Sequence, residues 1–189
     1  MKKVLTKVPG SCGELIQGKI NEKNFLISCP IDKYSRVCAE FKDSISGVEY
    51  KNNNRSLYKT RLAVNKLLEK LSITNIAIKL SFESDLLIAK GMGSSTADIT
   101  AAMSAIMILL DYEIDLELIK DIALSIEASD STFFKGLHLF NHINGSISQY
   151  IGEAMDLDII IFSEEGKLDT IDYNKNRKLN KGDESKIMK

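Results

Sequence analysis

The segment that decides the fold spans residues 90–110 and has the sequence KGMGSSTADITAAMSAIMILL. From Ser94 to Leu110 nearly every position is apolar or small, which predicts a helix that is buried on all sides. Small residues such as Ala97, Ala101 and Ala105 allow neighbouring elements to approach this helix closely. We therefore expect a central helix with a glycine-rich loop at its N-terminus.

The loop that precedes this helix has features of a phosphate-binding site. Gly91 and Gly93 lack side chains and tolerate positive φ, so the backbone can approach a ligand closely. A helix N-terminus carries unpaired N–H groups and about half a positive charge, which favours a phosphate. Lys90 adds a positive charge, and the hydroxyls of residues 94–96 add donors or oxygen ligands for Mg²⁺. The loop lacks the GK[ST] of a P-loop, and by itself a serine-capped turn is an equal alternative.

The bulk composition indicates a soluble globular protein with room for one well-formed core. The chain has 189 residues, of which 44% are hydrophobic and 27% charged, and its net charge is −1. This charge gives no support to nucleic acid or to an anionic membrane as a partner. The cysteines, Cys12, Cys29 and Cys38, are odd in number and form no CxxC pair, which favours the reducing cytoplasm. The N-terminus lacks the apolar region of a signal peptide, and residues 101–110 are too few to span a membrane.

The remaining pattern predicts a mixture of strands and helices without regular βαβ alternation. This indicates an α+β fold in which helices cover a mostly antiparallel or mixed sheet. The predicted helices are Thr60–Leu71, Ser94–Leu110 and Asp115–Ala128, the last with Asp115 as N-cap. The predicted strands are Lys3–Val8, Asn24–Cys29, Ser35–Phe41, Ser46–Tyr50, Asn75–Ser81, Leu137–Phe140, Ser146–Tyr150 and Leu157–Phe162. The strands on either side of Asn144-Gly145 form a predicted hairpin.

Two other segments carry chemically useful side chains. Residues 9–18, PGSCGELIQG, follow the first strand and are predicted to form a loop that can approach a polar ligand. Residues 126–132, IEASDST, end the third predicted helix with Glu127 and Asp130 three positions apart. Phosphoryl transfer needs Mg²⁺ and a carboxylate that orients or deprotonates the acceptor hydroxyl. Glu127 suits the metal and Asp130 the hydroxyl, although each segment alone is more commonly an ordinary turn or helix end.

The order of these three segments resembles the GHMP kinase superfamily, whose members phosphorylate small molecules such as galactose, homoserine and mevalonate. KGMGSSTADI is similar to the ATP-phosphate motif of that superfamily. Together with PGSCGELIQG, it is most similar to the L-threonine kinases linked to cobalamin synthesis. The resemblance runs over nearly all of residues 1–175. One departure is Ser11, which stands where many GHMP kinases have a lysine.

The resemblance implies a fold, an activity and a set of site residues. The fold would be the GHMP kinase N-terminal domain, which is ribosomal protein S5 domain 2-like, over residues 1–170. Residues 171–189 would lead into a second domain that is absent here, and we expect the chain to have little or no kinase activity alone. The activity would be ATP-dependent phosphorylation of L-threonine to O-phospho-L-threonine, with ATP and Mg²⁺ as cofactors. A homodimer is compatible with this.

The residue roles follow the motifs. Residues that would contact the nucleotide phosphates are Lys90, Gly91, Met92, Gly93, Ser94, Ser95 and Thr96. Ser95 and Glu127 would hold Mg²⁺, and Asp130 would be the catalytic carboxylate. Residues that would lie near the acceptor are Ser11, Cys12, Gly13, Glu14 and Gln17. Two alternatives stay open: a GHMP kinase with another acceptor, such as homoserine, and a non-catalytic module that binds a nucleotide or another anion.

Overall fold

In the computed structural model, the structure describes residues 2–43, 46–52, 56–154 and 156–161, which contain six strands and three helices. The elements in chain order are β1 (Lys3–Ile20), β2 (Lys23–Phe41), β3 (Gly47–Lys51), α1 (Tyr58–Lys70), β4 (Ala77–Ser84), α2 (Ser94–Leu109), α3 (Leu116–Leu124), β5 (Leu137–Phe140) and β6 (Ser148–Gly152). The α+β class is confirmed.

The strands form one mixed sheet built around β2. The strand order is β3-β4-β2-β5-β6, and β1 pairs with β2 in addition. All pairs are antiparallel except β3 with β4, which run parallel and are connected through α1. Such a parallel pair needs a crossover connection, which the helix supplies. The long β2 therefore links both halves of the sheet.

Helix α2 lies at the centre of the core. All but three of its residues are buried, and it packs against β1, β2, α1 and α3. Ile99, Met103 and Ile106 are fully buried and share one apolar cluster with Ile78 and Leu80 of β4. Burial of each such side chain contributes about 1.5–3 kcal/mol relative to exposure. The predicted central helix is confirmed, and its N-terminus is held at one edge of this core.

The prediction of a loop at residues 9–18 is wrong. This segment continues β1 to Ile20, and β2 begins after a two-residue turn at Asn21 and Glu22, whose φ angles are 49° and 61°. The glycines and the proline are accommodated by register shifts between Pro9 and Ile16 rather than by a break in the strand. Bulges of this kind bend a strand and redirect its side chains.

Three other boundaries differ from the prediction. Residues 24–29 and 35–41 belong to a single strand, in which Pro30 lies opposite Ser11 between two register shifts, where a proline is tolerated. Helix α3 ends at Leu124 instead of Ala128, and the Ser125 hydroxyl donates to the Ile122 carbonyl 2.6 Å away. Residues 157–161 are not in a strand.

The other predicted elements agree with the structure to within a few residues. Asp115 caps α3, since its carboxylate accepts from the Leu118 N–H at 2.9 Å. Strands β5 and β6 form the predicted hairpin. Phe162 and residues 171–189, including the predicted interdomain segment, lie outside the described residues. None of the helices in the described part of the chain is long and apolar enough to cross a membrane.

Candidate active site

The loop before α2 turns sharply because three alternating residues adopt left-handed conformations. The φ angles are 56° at Ala89, 71° at Gly91 and 61° at Gly93. Gly93 is the N-cap, and no side chain among the described residues caps the helix. The alternative of a serine-capped turn is therefore wrong. Alternating turns and an uncapped helix start are the features that direct backbone N–H groups at an anion.

The first strand lies directly against this loop. The Ser11 N–H donates to the Met92 carbonyl at 3.1 Å. A Cβ atom added at Gly10 would lie 2.5 Å from that same carbonyl oxygen. Only a glycine allows the two backbones to approach this closely, so the PGSC segment and the GMGSS loop form one unit.

Asp130 completes this unit from the far side. Its Oδ2 accepts from the Ser11 hydroxyl at 2.9 Å. A Cβ atom added at Gly93 would lie 2.4 Å from the same Oδ2 and 2.9 Å from the Ser11 Oγ. The carboxylate therefore occupies the space that a side chain at Gly93 would need. Three segments that are distant in sequence meet at this point.

The environment of Asp130 raises its pKa to about 6. Burial is the largest cause, because a low-dielectric surrounding disfavours the charged carboxylate. The hydrogen bond from Ser11 opposes the shift, while the negative charges of Glu14 and Glu127 add to it. A carboxylate with a pKa in this range is ionised near neutral pH and still has appreciable affinity for a proton.

The backbone on both sides of Asp130 is fixed by hydrogen bonds. The Ser129 N–H donates to the His142 carbonyl at 3.0 Å. The Ser131 N–H donates to the Ser28 hydroxyl at 3.3 Å, and both of these serines are buried. Asp130 thus lies between two anchors, one from the loop after β5 and one from β2.

A second polar cluster lies beside the first. The Ser95 hydroxyl, in the first turn of α2, donates to Oε1 of Glu127, and the Lys59 ammonium, in the first turn of α1, pairs with Oε2. The Glu127 side chain is 10% exposed and that of Lys59 is 39% exposed. One carboxylate therefore bridges the N-terminal ends of two helices.

This donor set fits Mg²⁺ together with a nucleotide phosphate. Mg²⁺ is commonly held by one or two protein oxygens, with phosphates and waters as the other ligands. Ser95 and Glu127 offer such oxygens at the start of α2. In the described residues no group of three or more His, Cys, Asp or Glu side chains is placed to hold a metal ion. The site suits a cation that arrives with phosphate oxygens better than a cation held by protein alone.

The predicted acceptor residues do not all lie together. The Ser11 hydroxyl donates to Asp130, and the negative charge of Glu14 contributes to the raised pKa of Asp130. Cys12 packs against the main apolar core, and Gln17 lies further along the hairpin, where it is exposed and opposite Leu26. Gly13 adopts a φ of 68° with open space where a Cβ would be.

The predicted nucleotide residues do lie in one loop, but they differ in exposure. Met92 and Thr96 are buried, so Met92 offers its backbone rather than its side chain. Lys90, Ser94 and Ser95 are partly exposed, and Gly91 is exposed. The loop therefore presents backbone and hydroxyl groups outward while its methionine anchors it to the core.

Three polar residues of this region were not singled out from the sequence. Lys59 and Ser28 lie in an ordinary helix and strand, and nothing in their local pattern indicates a role. Asp98 does carry a signal, since it is a carboxylate in an otherwise apolar helix. It is buried and accepts from the buried Ser35 hydroxyl at 2.5 Å, which connects α2 to β2.

Comparison with known proteins finds a similarity over the part of the chain that contains this loop, helix α2 and both carboxylates. Residues 56–136 match the family model described as GHMP kinases N terminal domain. These residues are therefore similar to the N-terminal domain of GHMP kinases. The matched residues include α1, the glycine loop, α2, α3, Glu127 and Asp130.

Two curated proteins that are similar to this chain are L-threonine kinases. The protein from Citrobacter freundii is 33% identical over 174 residues, which cover 90% of this chain and 58% of the relative. The protein from Salmonella typhimurium is also 33% identical over 174 residues, covering 90% of this chain and 55% of the relative. The chain therefore spans somewhat more than half the length of these relatives.

Solved structures show the same fold. The mevalonate kinase of Methanococcus jannaschii superposes with a TM-score of 0.66 at 15% identity, over 80% of this chain and 56% of that one. A homoserine kinase from Cytophaga hutchinsonii superposes with a TM-score of 0.53 at 16% identity, over 71% and 48%. At these identities the likeness concerns the fold alone.

Proposed function

We propose that this domain binds ATP with Mg²⁺ and serves a kinase that transfers the γ-phosphoryl group to the hydroxyl of L-threonine. The observation that carries the proposal is the contact of Asp130 with Ser11 and with the space beside Gly93. This contact brings a proton-accepting carboxylate to the edge of a loop that is suited to phosphate. The curated relatives, both L-threonine kinases, support the choice of acceptor.

The phosphate groups are assigned to residues 90–96 and the N-terminus of α2. Backbone N–H groups and the partial positive charge of the helix stabilise phosphate oxygens without a change in conformation. Lys90 adds a full positive charge, and the partly exposed Ser94 adds a hydroxyl donor. Ser95 and Glu127 are the proposed protein ligands of Mg²⁺, which neutralises charge on the phosphates when bound.

Asp130 is the proposed general base. The acceptor hydroxyl gives its proton to the Asp130 carboxylate while its oxygen forms a bond to the γ-phosphorus. The bond between the γ-phosphorus and the bridging oxygen of ADP breaks, and ADP leaves with that electron pair. The raised pKa of Asp130, about 6, suits this exchange near neutral pH. Such a base typically contributes about 10²–10⁴-fold to the rate.

The acceptor is assigned to the part of β1 around Ser11 and Glu14. A carboxylate at Glu14 can bind the ammonium group of an amino acid, and Ser11 in the same irregular stretch of β1 hydrogen-bonds to Asp130. The product would be O-phospho-L-threonine, which we propose is used for the cobalamin side chain. The cytoplasm, which supplies ATP, is the proposed compartment.

The proposal is tested by ATP titration and by a substrate panel. Titration of the protein with ATP and Mg²⁺ should show binding that Gly93→Ala weakens. Transfer of ³²P from [γ-³²P]ATP is then compared for L-threonine, L-homoserine and L-serine in a version as long as the curated relatives, with Asp130→Asn in the same version as the matched variant. L-Threonine should be the preferred acceptor, and Asp130→Asn should reduce transfer by about 10²-fold or more.

The panel also separates the two alternatives. Preference for L-homoserine would assign the protein to another acceptor class within the same family. If the longer version binds ATP but transfers phosphate to none of the hydroxyl compounds, a non-catalytic nucleotide-binding module is favoured. Failure of the protein to bind ATP with Mg²⁺ at all would contradict the proposal.

A further inference from the structure

The Glu127 carboxylate forms an ion pair with the ammonium group of Lys59. Lys59 Nζ pairs with Oε2, while the Ser95 hydroxyl donates to Oε1. Both oxygens of this largely buried carboxylate therefore have a partner. Because Lys59 and Ser95 contact the same carboxylate, the ammonium lies at the N-terminal end of α2, beside the proposed phosphate loop.

Ser95 and Lys59 differ in how easily each can move away from the Glu127 carboxylate. Ser95 is fixed by the first turn of α2, and its hydroxyl oxygen can serve a metal ion without moving far. Lys59 has a flexible four-carbon stem and is 39% exposed, so its ammonium can withdraw into solvent or toward another anion. Because the ammonium side of this ion pair is open to solvent, the exchange of one cation for another is feasible.

We propose that Lys59 is a positioning residue that occupies the divalent-cation site of Glu127 until nucleotide arrives. In the absence of Mg²⁺ its ammonium neutralises Glu127 and holds the carboxylate toward Ser95. With the ammonium displaced, Glu127 and Ser95 would be able to hold Mg²⁺ that arrives with ATP, and the positive charge of Lys59 would remain beside the phosphates. This inference rests on the function proposed above, because it requires the Ser95–Glu127 pair to be the metal site.

The exchange predicts opposite effects on the two ligands. A neutral residue at position 59 removes a competitor for the carboxylate, so a divalent cation alone should bind more tightly. The same change removes a positive charge beside the phosphate loop, so ATP without divalent cation should bind more weakly. A residue that only stabilises the fold would not shift two affinities in opposite directions.

The test uses Lys59→Met and the matched control Lys66→Met. Lys66 lies seven residues further along α1 and donates to the Ser125 hydroxyl at 2.8 Å rather than to the Glu127 carboxylate. Mn²⁺ binding is followed by electron paramagnetic resonance without nucleotide, and ATP binding by equilibrium dialysis in EDTA. Lys59→Met should tighten Mn²⁺ binding and weaken ATP binding, each by roughly three- to tenfold, while Lys66→Met leaves both unchanged.

The outcomes separate this inference from the proposed function. If the unmodified protein binds both ligands but Lys59→Met changes neither, or lowers both affinities, Lys59 does not act as a placeholder and the kinase proposal still stands. If the unmodified protein binds neither Mn²⁺ nor ATP, the proposed function itself is wrong. Lys59→Gln, a second neutral variant, carries the same expectation if Lys59→Met fails to fold.

Discussion

Substitution of Gly93 by alanine should damage both stability and the position of the candidate base. The added Cβ would lie 2.4 Å from Oδ2 of Asp130 and 2.9 Å from Oγ of Ser11, which is closer than real Cβ contacts. Asp130 must then move away, and its hydrogen bond to Ser11 breaks. In addition, the φ of 61° at this position is strained for any residue with a side chain.

The magnitude can be worked out from these two contributions. A left-handed conformation costs an L-residue about 1–2 kcal/mol relative to glycine. Loss of the hydrogen bond between Ser11 and Asp130 adds about 1 kcal/mol. Alanine also reduces the entropy of the unfolded chain, which offsets roughly 0.4–1 kcal/mol. The free energy of unfolding should therefore fall by about 1–3 kcal/mol.

A second glycine in the same loop provides the control. Gly91 has a φ of 71°, but a Cβ added there would meet nothing within 4 Å. Gly91→Ala should therefore show only the conformational cost, about 1 kcal/mol less than the effect of Gly93→Ala. Both are measured by urea unfolding at pH 7, together with Asp130→Ala and the double variant Gly93→Ala/Asp130→Ala.

The double variant isolates the contact with Asp130. Removal of the carboxylate should relieve the added methyl group, so that Gly93→Ala costs less in the Asp130→Ala background than in the unmodified protein. Equal costs in both backgrounds, or equal effects of Gly91→Ala and Gly93→Ala, would show that the carboxylate does not lie against Gly93. Either result would remove the observation on which the proposed function depends.

Three other substitutions test parts of the same site. Burial raises the pKa of Asp130 to about 6, whereas in the unfolded chain this carboxyl loses its proton from about pH 4. The folded protein therefore holds one proton more between pH 4 and 6, and its free energy of unfolding should fall as pH rises through this range. Asp130→Asn should thus be more stable than the unmodified protein at pH 7 by urea unfolding, and a gap that does not narrow toward pH 4 would contradict the shift. Ser28→Ala removes the acceptor of the buried Ser131 N–H, which should lower the free energy of unfolding by about 1–3 kcal/mol. It should also lower turnover without changing ATP affinity. A change in ATP affinity alone would argue against a positioning role for Ser28. Ser35→Ala removes a buried donor to Asp98 and should lower thermal stability by about 1–3 kcal/mol, so that an unchanged melting temperature would show the hydrogen bond to be dispensable.

Much of the architecture could be predicted because it depends on local patterns. An apolar stretch from Ser94 onward can only be a buried helix, and Asp115 has the side chain that caps a helix start. The predicted hairpin around Asn144-Gly145 follows from turn chemistry in the same way. In each case, neighbouring residues in the chain supply most of the interactions.

The first hairpin could not be predicted correctly for the opposite reason. Pro9, Gly10 and Gly13 favour a loop when only their neighbours are considered. They remain in a strand because β2 supplies hydrogen-bonding partners along the whole segment, and bulges absorb the irregular residues. Long-range pairing thus overrides the local preference, and the same pairing brings Ser11 to the helix start.

The sequence by itself determined the presence of the glycine loop, the central helix and two candidate carboxylates, because each is encoded in a short run of residues. Only the tertiary structure decided that Asp130 hydrogen-bonds to Ser11 against Gly93, and that Glu127 lies between Ser95 and Lys59. These contacts join residues 32 to 119 positions apart. Residues so distant in the chain meet because packing around α2 brings the ends of three helices and the middle of β1 together, which no local pattern specifies.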